Sequence, residues 1–168
     1  MFVSKLARLG TLPDQLRHLP VALSIADASH DDQPLILVTS EFAEMTGYGQ
    51  DALDRNCRFL QTDLNNSEAR AEIRDALKDE RRTQVILHNR RKSGETFYNL
   101  LWLEPIRSPL DNRKWVLGSQ FDLGNHDPRR ESEGDINTLN HRNFDLLNRT
   151  ESLRLERRRL VASAAVQI

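Results

Sequence analysis

The sequence predicts an α+β domain in which two β-strands, several short helices and three further β-strands follow one another, with a helical segment at each end. Two observations predict this order. Five segments rich in β-branched and aromatic residues fall into a group of two and a group of three, bounded by turn-forming residues. Apolar residues at helical spacing occur between the two groups and again near both ends of the chain.

The composition excludes several classes of protein. The 168 residues carry 24 Lys+Arg against 25 Asp+Glu, which argues against a generally basic nucleic-acid binder and against a polyacidic protein. The single cysteine, Cys57, excludes a disulfide framework, and the five histidines show no metal-ligand spacing. The start of the chain lacks the apolar core of a signal peptide, and no apolar run approaches the ~18 residues that cross a bilayer. We therefore expect a soluble cytoplasmic protein without a metal site.

The first elements are a helical segment, a hairpin and a short helix. Over residues 1–19 leucine recurs every three or four positions, which predicts an N-terminal helical cap, with a frayed terminus as an equal alternative. Strands are predicted over Val21–Asp27 and Leu35–Thr39. A short helix then begins with Ser40 as its cap and ends at Gly47.

The middle of the chain predicts one longer helix followed by three strands. Small and apolar residues share one face over residues 66–79, which is typical of a helix packed on a sheet. Strands are predicted over Thr83–Asn89, Thr96–Leu103 and Lys114–Asp122. The stretch Gly47-Tyr-Gly-Gln-Asp-Ala52 matches a dinucleotide-binding fingerprint, but it follows a helix instead of a strand, so we reject that interpretation.

The composition changes after the last strand. Residues 124–135 are charged and contain proline and glycine, which predicts a hinge. In residues 136–168 leucine recurs every seventh position, at Leu139, Leu146, Leu153 and Leu160, while the other seam position is mostly polar. This pattern predicts a C-terminal helical extension that pairs weakly with a second copy, in preference to a solitary amphipathic helix.

One hexapeptide carries the most specific signal. Asn56-Cys57-Arg58-Phe59-Leu60-Gln61 places a soft nucleophile between an amide and a cation, although a lone cysteine is usually a small buried hydrophobe. This hexapeptide resembles the signature of light-oxygen-voltage (LOV) photosensor domains, a branch of the PAS fold. The resemblance covers about residues 20–123 and agrees with the predicted order of elements. It implies a short LOV protein with a five-stranded antiparallel sheet.

The resemblance also implies a flavin site. In the family two arginines bind a phosphate, two asparagines bond the isoalloxazine edge, and a glutamine lies next to flavin N5. The residues that match, or that line the pocket, are Ser24, Ala26, Asn56, Arg58, Gln61, Ile73, Arg74, Asn89, Asn99, Leu101, Leu103, Val116, Gly118 and Gln120. A flavin needs flat apolar walls, amides for its pyrimidine edge and cations for its phosphate. Because two arginines can fork onto phosphate oxygens, we expect flavin mononucleotide (FMN).

Several positions depart from the family pattern. Asp54 precedes the motif where glycine is usual, and Gln33 stands where asparagine is frequent. Arg70 replaces a small aliphatic wall residue, and Val116 replaces a larger one. On the first strand Ser24 and Ala26 replace valine and threonine. These departures bear on the adduct lifetime, the flavin selectivity and the tightness of the pocket, and leave the cysteine intact.

By the same resemblance, the activity is light sensing without turnover. Blue light excites the flavin, the Cys57 sulfur adds reversibly to C4a, and Gln120 exchanges its hydrogen bond as N5 becomes a donor. No segment beyond the core is long enough for a kinase or cyclase, so we expect no enzyme and an output through helix packing or dimerisation toward an unknown partner.

Two alternatives stay open. One is a DNA-binding regulator that uses Arg154, Arg157, Arg158 and Arg159. The other is a flavin redox sensor without photochemistry.

Overall fold

The computed structural model describes residues 21–61, 63–107 and 113–128 of the chain. Its elements are β1 (Ala22–Asp27), β2 (Leu35–Val38), α1 (Ser40–Thr46), a first 3₁₀ helix (Gln50–Ala52), a second 3₁₀ helix (Cys57–Gln61), α2 (Ser67–Lys78), β3 (Thr83–Arg90), β4 (Thr96–Arg107) and β5 (Lys114–Asp122). We refer to the second 3₁₀ helix as the cysteine helix. The predicted order of two strands, short helices and three strands is confirmed.

All five strands form one antiparallel sheet in the order β2-β1-β5-β4-β3. The first and last strands lie side by side in its middle, with Ala22 opposite Gln120 and Asp27 opposite Trp115. β5 pairs on its other side with β4, where Leu101 is also opposite Gln120. The expected α+β architecture with a five-stranded antiparallel sheet is therefore confirmed for the core.

One face of the sheet carries most of the residues predicted for the site. Because side chains alternate along a strand, every second residue faces the helices. This face presents Ser24, Ala26, Asn89, Asn99, Leu101, Leu103, Val116, Gly118 and Gln120. Ile73 and Leu77 of α2 pack against its apolar part, and Phe42 of α1 packs near Ala22. The helices thus cover the face on which the polar side chains converge.

The junction between β2 and α1 corrects one detail of the sequence reading. The N-cap of α1 is Thr39, not Ser40, because the Thr39 hydroxyl accepts a hydrogen bond from Phe42 N at 3.3 Å. The same hydroxyl accepts from Leu23 N at 2.9 Å and donates to Val21 O at 2.8 Å. Thr39 is 1% exposed. A cap that also bonds β1 therefore fixes the start of the helix against the sheet.

The end of α1 requires the glycine that the sequence places there. Gly47 has φ +77 and donates its N–H to Ala43 O at 2.8 Å, as a left-handed helix cap does. A Cβ at this position would lie 3.0 Å from the Cβ of Lys92, so a side chain would meet both backbone strain and contact. Gly47 therefore ends a helix, in agreement with our rejection of the dinucleotide fingerprint.

Several predictions fall on parts of the chain that the structure does not describe. The N-terminal cap over residues 1–19, the turn over 108–112 and the extension over 136–168 lie outside the described residues. Of the predicted hinge, residues 124–128 are described and contain bends and a turn. No helix in the described ranges is both long enough and apolar enough to cross a membrane.

Replacement of Thr39 by valine should destabilise the core by about 2–3 kcal/mol. The valine keeps the shape of the side chain but leaves the buried Leu23 N–H, Phe42 N–H and Val21 C=O without their hydroxyl partner. Denaturant unfolding of the wild-type and variant chains measures the difference. Thr96→Val makes the same chemical change at a partly buried position of β4 and serves as the control. Equal losses in the two variants would contradict this account of the junction.

Candidate functional site

The cysteine helix is a short element whose start is stabilised by Asn56, the residue just before it. Asn56 Oδ1 accepts a hydrogen bond from Arg58 N at 2.9 Å, and Phe59 N donates to Asn56 O at 3.3 Å. Asparagine favours such local turns because its side chain competes for backbone donors. Leu60, 1% exposed, packs into the core and fixes which side of the helix faces inward. Cys57, at the first position, is thereby held partly buried.

Cys57 lies in an apolar environment. It packs against a cluster formed by Ala22, Leu35, Phe42, Ala52 and Leu60, with Met45, Tyr48 and Phe59 alongside. Burial raises the pKa of the Cys57 thiol from its ordinary value of 9.0 to about 12. The thiol is therefore protonated at neutral pH and is a poor nucleophile at rest. This position suits a cysteine that must stay inert until another group activates it.

A chain of buried amides joins the cysteine helix to the sheet. Asn89 Nδ2 donates to the Leu60 carbonyl at 3.2 Å, and Asn99 Nδ2 donates to Asn89 Oδ1 at 3.0 Å. Asn99 Oδ1 in turn accepts from Phe121 N on β5 at 3.3 Å. Asn89 and Asn99 are 1% and 2% exposed, so this polar connection runs through the interior. The two asparagines predicted for the flavin edge therefore lie side by side, and Asn89 bonds the backbone of the cysteine helix three residues after Cys57.

Gln120 occupies the centre of the same face. Its Nε2 donates to Ser24 Oγ at 2.8 Å, while its Oε1 is buried without a hydrogen-bond partner in the described part of the chain. Gly118 makes room for this pair, because a Cβ there would lie 2.8 Å from Ser24 Oγ and 2.9 Å from Gln120 Nε2. Gln61, at the end of the cysteine helix, also has a buried and unpartnered Oε1 in that part. Two amide oxygens thus remain available to a ligand in the interior.

The apolar residues predicted as pocket walls come together. Leu101, Leu103 and Val116 belong to one buried cluster with Val85 and Leu87. Ala26 and Ile73, also predicted, pack against that cluster together with Ala28, Ala69 and Leu77. An apolar wall of branched side chains therefore adjoins the amides.

The two predicted phosphate ligands are placed differently from the buried residues. Arg58 is exposed and forms an ion pair with Asp32, and Arg74 is exposed on α2. Asn56 donates through Nδ2 to Asp32 O at 2.7 Å, so it ties the motif to the loop before β2. Arginines on the surface fit a ligand whose ring is buried and whose charged end reaches solvent.

The departures from the family pattern are accommodated in different ways. Asp54 has φ +63 and Gln33 has φ +46, so each adopts the left-handed conformation that glycine or asparagine tolerates better. Arg70 is exposed on α2, which places its charge in solvent instead of on a wall. Val116 and Ala26 are part of the apolar cluster and its surroundings. The replacements on the wall thus reduce side-chain volume without adding charge.

These residues fit a flavin. A flat apolar ring with a hydrogen-bonding edge would meet the clustered aliphatic side chains and the amides of Asn89, Asn99 and Gln120. The unpartnered buried oxygens of Gln61 and Gln120 are acceptors for such an edge, since a buried polar group without a partner is costly. No group of His, Cys, Asp or Glu in the described residues could hold a metal ion.

Comparison with known proteins places the chain in a family. A family model described as a PAS domain matches residues 21–124. The chain belongs to the PAS domain family. Within that family its core is a LOV domain: the crystal structure of the Rhodobacter sphaeroides LOV protein is 44% identical, matches 70% of this chain and 68% of that chain, and gives a TM-score of 0.65. The LOV domain of the Erythrobacter litoralis EL346 histidine kinase is 36% identical over 64% of this chain and all of that domain, with a TM-score of 0.60.

Two of the curated relatives are named as blue-light proteins. The blue-light photoreceptor of Listeria monocytogenes is 36% identical over 71% of this chain and 47% of the relative. The blue-light-activated histidine kinase of Rhizobium johnstonii is 41% identical over 59% of this chain and 29% of the kinase. The chain thus spans less than half of the length of these relatives. Membership of the LOV group supports a flavin chromophore for this core.

Some participants in the site were not predicted from the sequence. Asp32 contacts both Asn56 and Arg58, yet it lies in another loop and nothing in its local pattern distinguishes it from Asp31. The Leu60 carbonyl that receives Asn89 is a backbone atom, which no residue pattern identifies. The only available signal was the position of two acidic residues just before Gln33.

Alkylation of Cys57 should be slow in the folded chain. With a thiol pKa near 12 instead of 9.0, the thiolate fraction at pH 8 falls by about a hundredfold or more, and only the thiolate reacts. Mass spectrometry after iodoacetamide treatment in the dark measures the rate, and because Cys57 is the only cysteine the signal is unambiguous. The chain unfolded in denaturant supplies the reference. A folded rate within about tenfold of that reference, or one that levels off near pH 9, would contradict the raised pKa.

Proposed function

We propose that this chain is a blue-light photoreceptor that binds one FMN in its core and forms a reversible bond from Cys57 to the flavin. The observation that carries the proposal is the buried connection of the cysteine helix, through Asn89 and Asn99, to the strand that bears Gln120. This connection supports a shared site in which Cys57 would be the nucleophile and Gln120 the hydrogen-bonding group. The printed names of the relatives support blue light as the stimulus.

Different residues of the core would bind the polar edge, the ring face and the phosphate of the flavin. Asn89, Asn99 and Gln120 would bond the polar edge of the ring, because each carries both a donor and an acceptor. Leu101 and Leu103 would form an apolar wall. The surface arginines Arg58 and Arg74 would bind the phosphate, which favours the mononucleotide. When bound, the flavin supplies absorption of blue light and a ring carbon to which a thiol can add reversibly.

Cys57 contributes a protonated sulfur. The apolar cluster around it, which includes Phe42 and Leu60, disfavours the thiolate and keeps the proton on Sγ in the dark. A resting thiol that is mostly not ionised reacts only slowly with other electrophiles. Because Cys57 packs against this cluster, bond formation and reversal would take place beside apolar side chains. We propose no net turnover, and hence no enzyme, for this core.

Gln120 and Ser24 together can serve two hydrogen-bonding states. In the structure Gln120 Nε2 donates to Ser24 Oγ. A serine hydroxyl can both accept and donate, so Ser24 would still be bonded if the Gln120 amide turned and presented its oxygen. Gln120 can therefore change from donor to acceptor toward the ring without leaving a buried group unpaired. Ser24, where the family usually has valine, is what makes both orientations favourable here.

The end of β5 provides a route from the site toward the rest of the chain. Two residues after Gln120, Asp122 accepts from Arg91 at 2.5 Å and from Gly124 N at 2.8 Å. Arg91 also donates to the carbonyl of Met45, whose side chain packs against the same cluster as Cys57. A shift of β5 at Gln120 would therefore change the hydrogen bonds of Asp122, which lies just before the residues that follow the core. This is a physical connection; whether it carries the signal is for the glutamine variant to test.

We propose that the output is a homodimer, formed through the terminal helices, whose packing changes in light and acts on an unidentified partner. The heptad leucines support this proposal, and a cytoplasmic location is proposed on the composition. The heptads, like the arginines of the DNA-binding alternative, lie outside the described residues.

Absorption spectra of the purified chain in the dark and after blue light test the proposal. The wild type should show a flavin spectrum whose blue band is lost in light and returns in the dark. Cys57→Ala should bind flavin equally well but show no reversible loss, because the sulfur is gone. Chromatography of heat-released cofactor should show FMN at about one per chain. A protein without flavin defeats the proposal, and a Cys57→Ala chain that still bleaches reversibly defeats the role of the cysteine.

Gln120→Leu should separate photochemistry from output. Leucine cannot exchange a donor for an acceptor, so the bleach should remain largely intact while the light-induced change in size falls to less than about half. Light scattering in dark and light measures the size change, which also tests the proposed dimer. Gln84→Leu makes the same change at an exposed position of β3 and should behave as the wild type. A full-sized response in the Gln120 variant, or no size change in the wild type, would contradict this scheme.

A further inference from the structure

The loop between β1 and β2 places the carboxylate of Asp32 beside Arg58, the arginine that follows Cys57. Asp32 forms an ion pair with Arg58 through Nη2. The two side chains are 63% and 57% exposed, so the pair lies at the surface beside the buried site. It is a contact between segments 26 positions apart in the sequence, and hence a product of the fold.

A second interaction holds this ion pair in place. Asn56 Nδ2 donates to the backbone carbonyl of Asp32 at 2.7 Å, while Asn56 Oδ1 accepts from the backbone N–H of Arg58 at 2.9 Å. One side chain therefore holds the backbones of both partners. The loop is further fixed by Gln33 N, which donates to His30 O at 2.9 Å. Because three groups determine where Asp32 lies, its carboxylate is not a chance neighbour of Arg58.

We propose that Asp32 is a selectivity residue that weakens the preference of this core for a phosphorylated flavin over an unphosphorylated one. The inference rests on the proposed flavin site, in which Arg58 would bind the phosphate. The Asp32 carboxylate neutralises much of the Arg58 charge and occupies one of its donors. A phosphate therefore gains less from Arg58 than it would from an unpaired arginine.

The size of the effect follows from the exposure of the pair. Exposed ion pairs are weak and screened by salt, so Asp32 can change relative affinity by about three- to fivefold and not by orders of magnitude. The effect should shrink as salt concentration rises. Riboflavin has the same ring as FMN and lacks the phosphate, so its binding should not depend on Asp32.

The experiment measures which flavin the intact chain prefers. The purified 168-residue holoprotein is dialysed to equilibrium against equal concentrations of FMN and riboflavin, and the bound flavins are released by heat and separated by chromatography. Asp32→Asn should raise the bound FMN:riboflavin ratio by about three- to fivefold at low salt. It removes the charge and keeps the backbone carbonyl that Asn56 bonds. The ratio does not depend on how much protein is folded.

Two further variants make the assignment specific. Asp31→Asn removes the same charge from the neighbouring exposed position, and it should change the ratio by less than about twofold. In an Arg58→Gln background, the effect of Asp32→Asn should fall to about twofold or less, because the carboxylate acts through Arg58. An unchanged or lowered ratio in Asp32→Asn overturns the assignment, as does an equal effect of Asp31→Asn or a full effect without Arg58. Failure to bind either flavin would instead refute the proposed function.

Discussion

The hydrogen bonds of two buried asparagines are the constraint on which the site depends. An amide in the interior must find partners for its donors and its acceptor, because leaving one of them unpaired costs about 1–3 kcal/mol. Asn89 and Asn99 find them in each other, in the Leu60 carbonyl and in Phe121 N. Few placements of the cysteine helix against the sheet satisfy all of these groups at once. The position of Cys57 is thus set by the hydrogen bonds of the two asparagines as well as by the packing of Leu60.

Strand β5 carries both a member of this hydrogen-bonded chain and Gln120, the residue that is proposed to change its hydrogen bond. Phe121 N belongs to the asparagine chain, and its neighbour Gln120 bonds Ser24. Since successive residues of a strand face opposite ways, the two interactions restrain β5 through its backbone and through a side chain. Gly118 adds a steric condition, because any side chain there would displace the Gln120–Ser24 pair. A turn of the Gln120 amide would therefore act first on its hydrogen bond with Ser24.

Local patterns predicted the elements well and the long-range pairings poorly. The pattern of Thr83–Asn89 predicted a strand, and Gly47 predicted a helix end, because both features are set by near neighbours. The extension of β4 to Arg107 was not predicted. Glu104 and Pro105 interrupt the apolar pattern, yet they pair with β5 opposite Leu117 and Val116. Pairing with a partner strand overrode local propensity at that end.

The site shows the same division. The resemblance supplied the list of residues, and the fold brings the apolar walls and the amides together, as that list requires. The choice of Thr39 over Ser40 as the helix cap could not be read from two adjacent hydroxyl residues, since it depends on hydrogen bonds to β1. The ion pair of Asp32 with Arg58 was equally inaccessible, because it joins two loops. The features that could not be predicted from the sequence are the contacts between segments that lie far apart along the chain.

Charge is distributed in a way that suits a reversible sensor. One strong set of carboxylate interactions lies at the surface: Arg107 and Lys114 lower the pKa of Glu80 to about 2. The polar groups that contact the interior site are neutral amides and a hydroxyl. Moving a charge within a low-dielectric interior would cost several kcal/mol, whereas turning an amide exchanges one hydrogen bond for another. A proposed switch made of Gln120 and Ser24 can therefore have two states of similar free energy. A small input from the flavin is then enough to choose between them, and thermal decay is enough to restore the first.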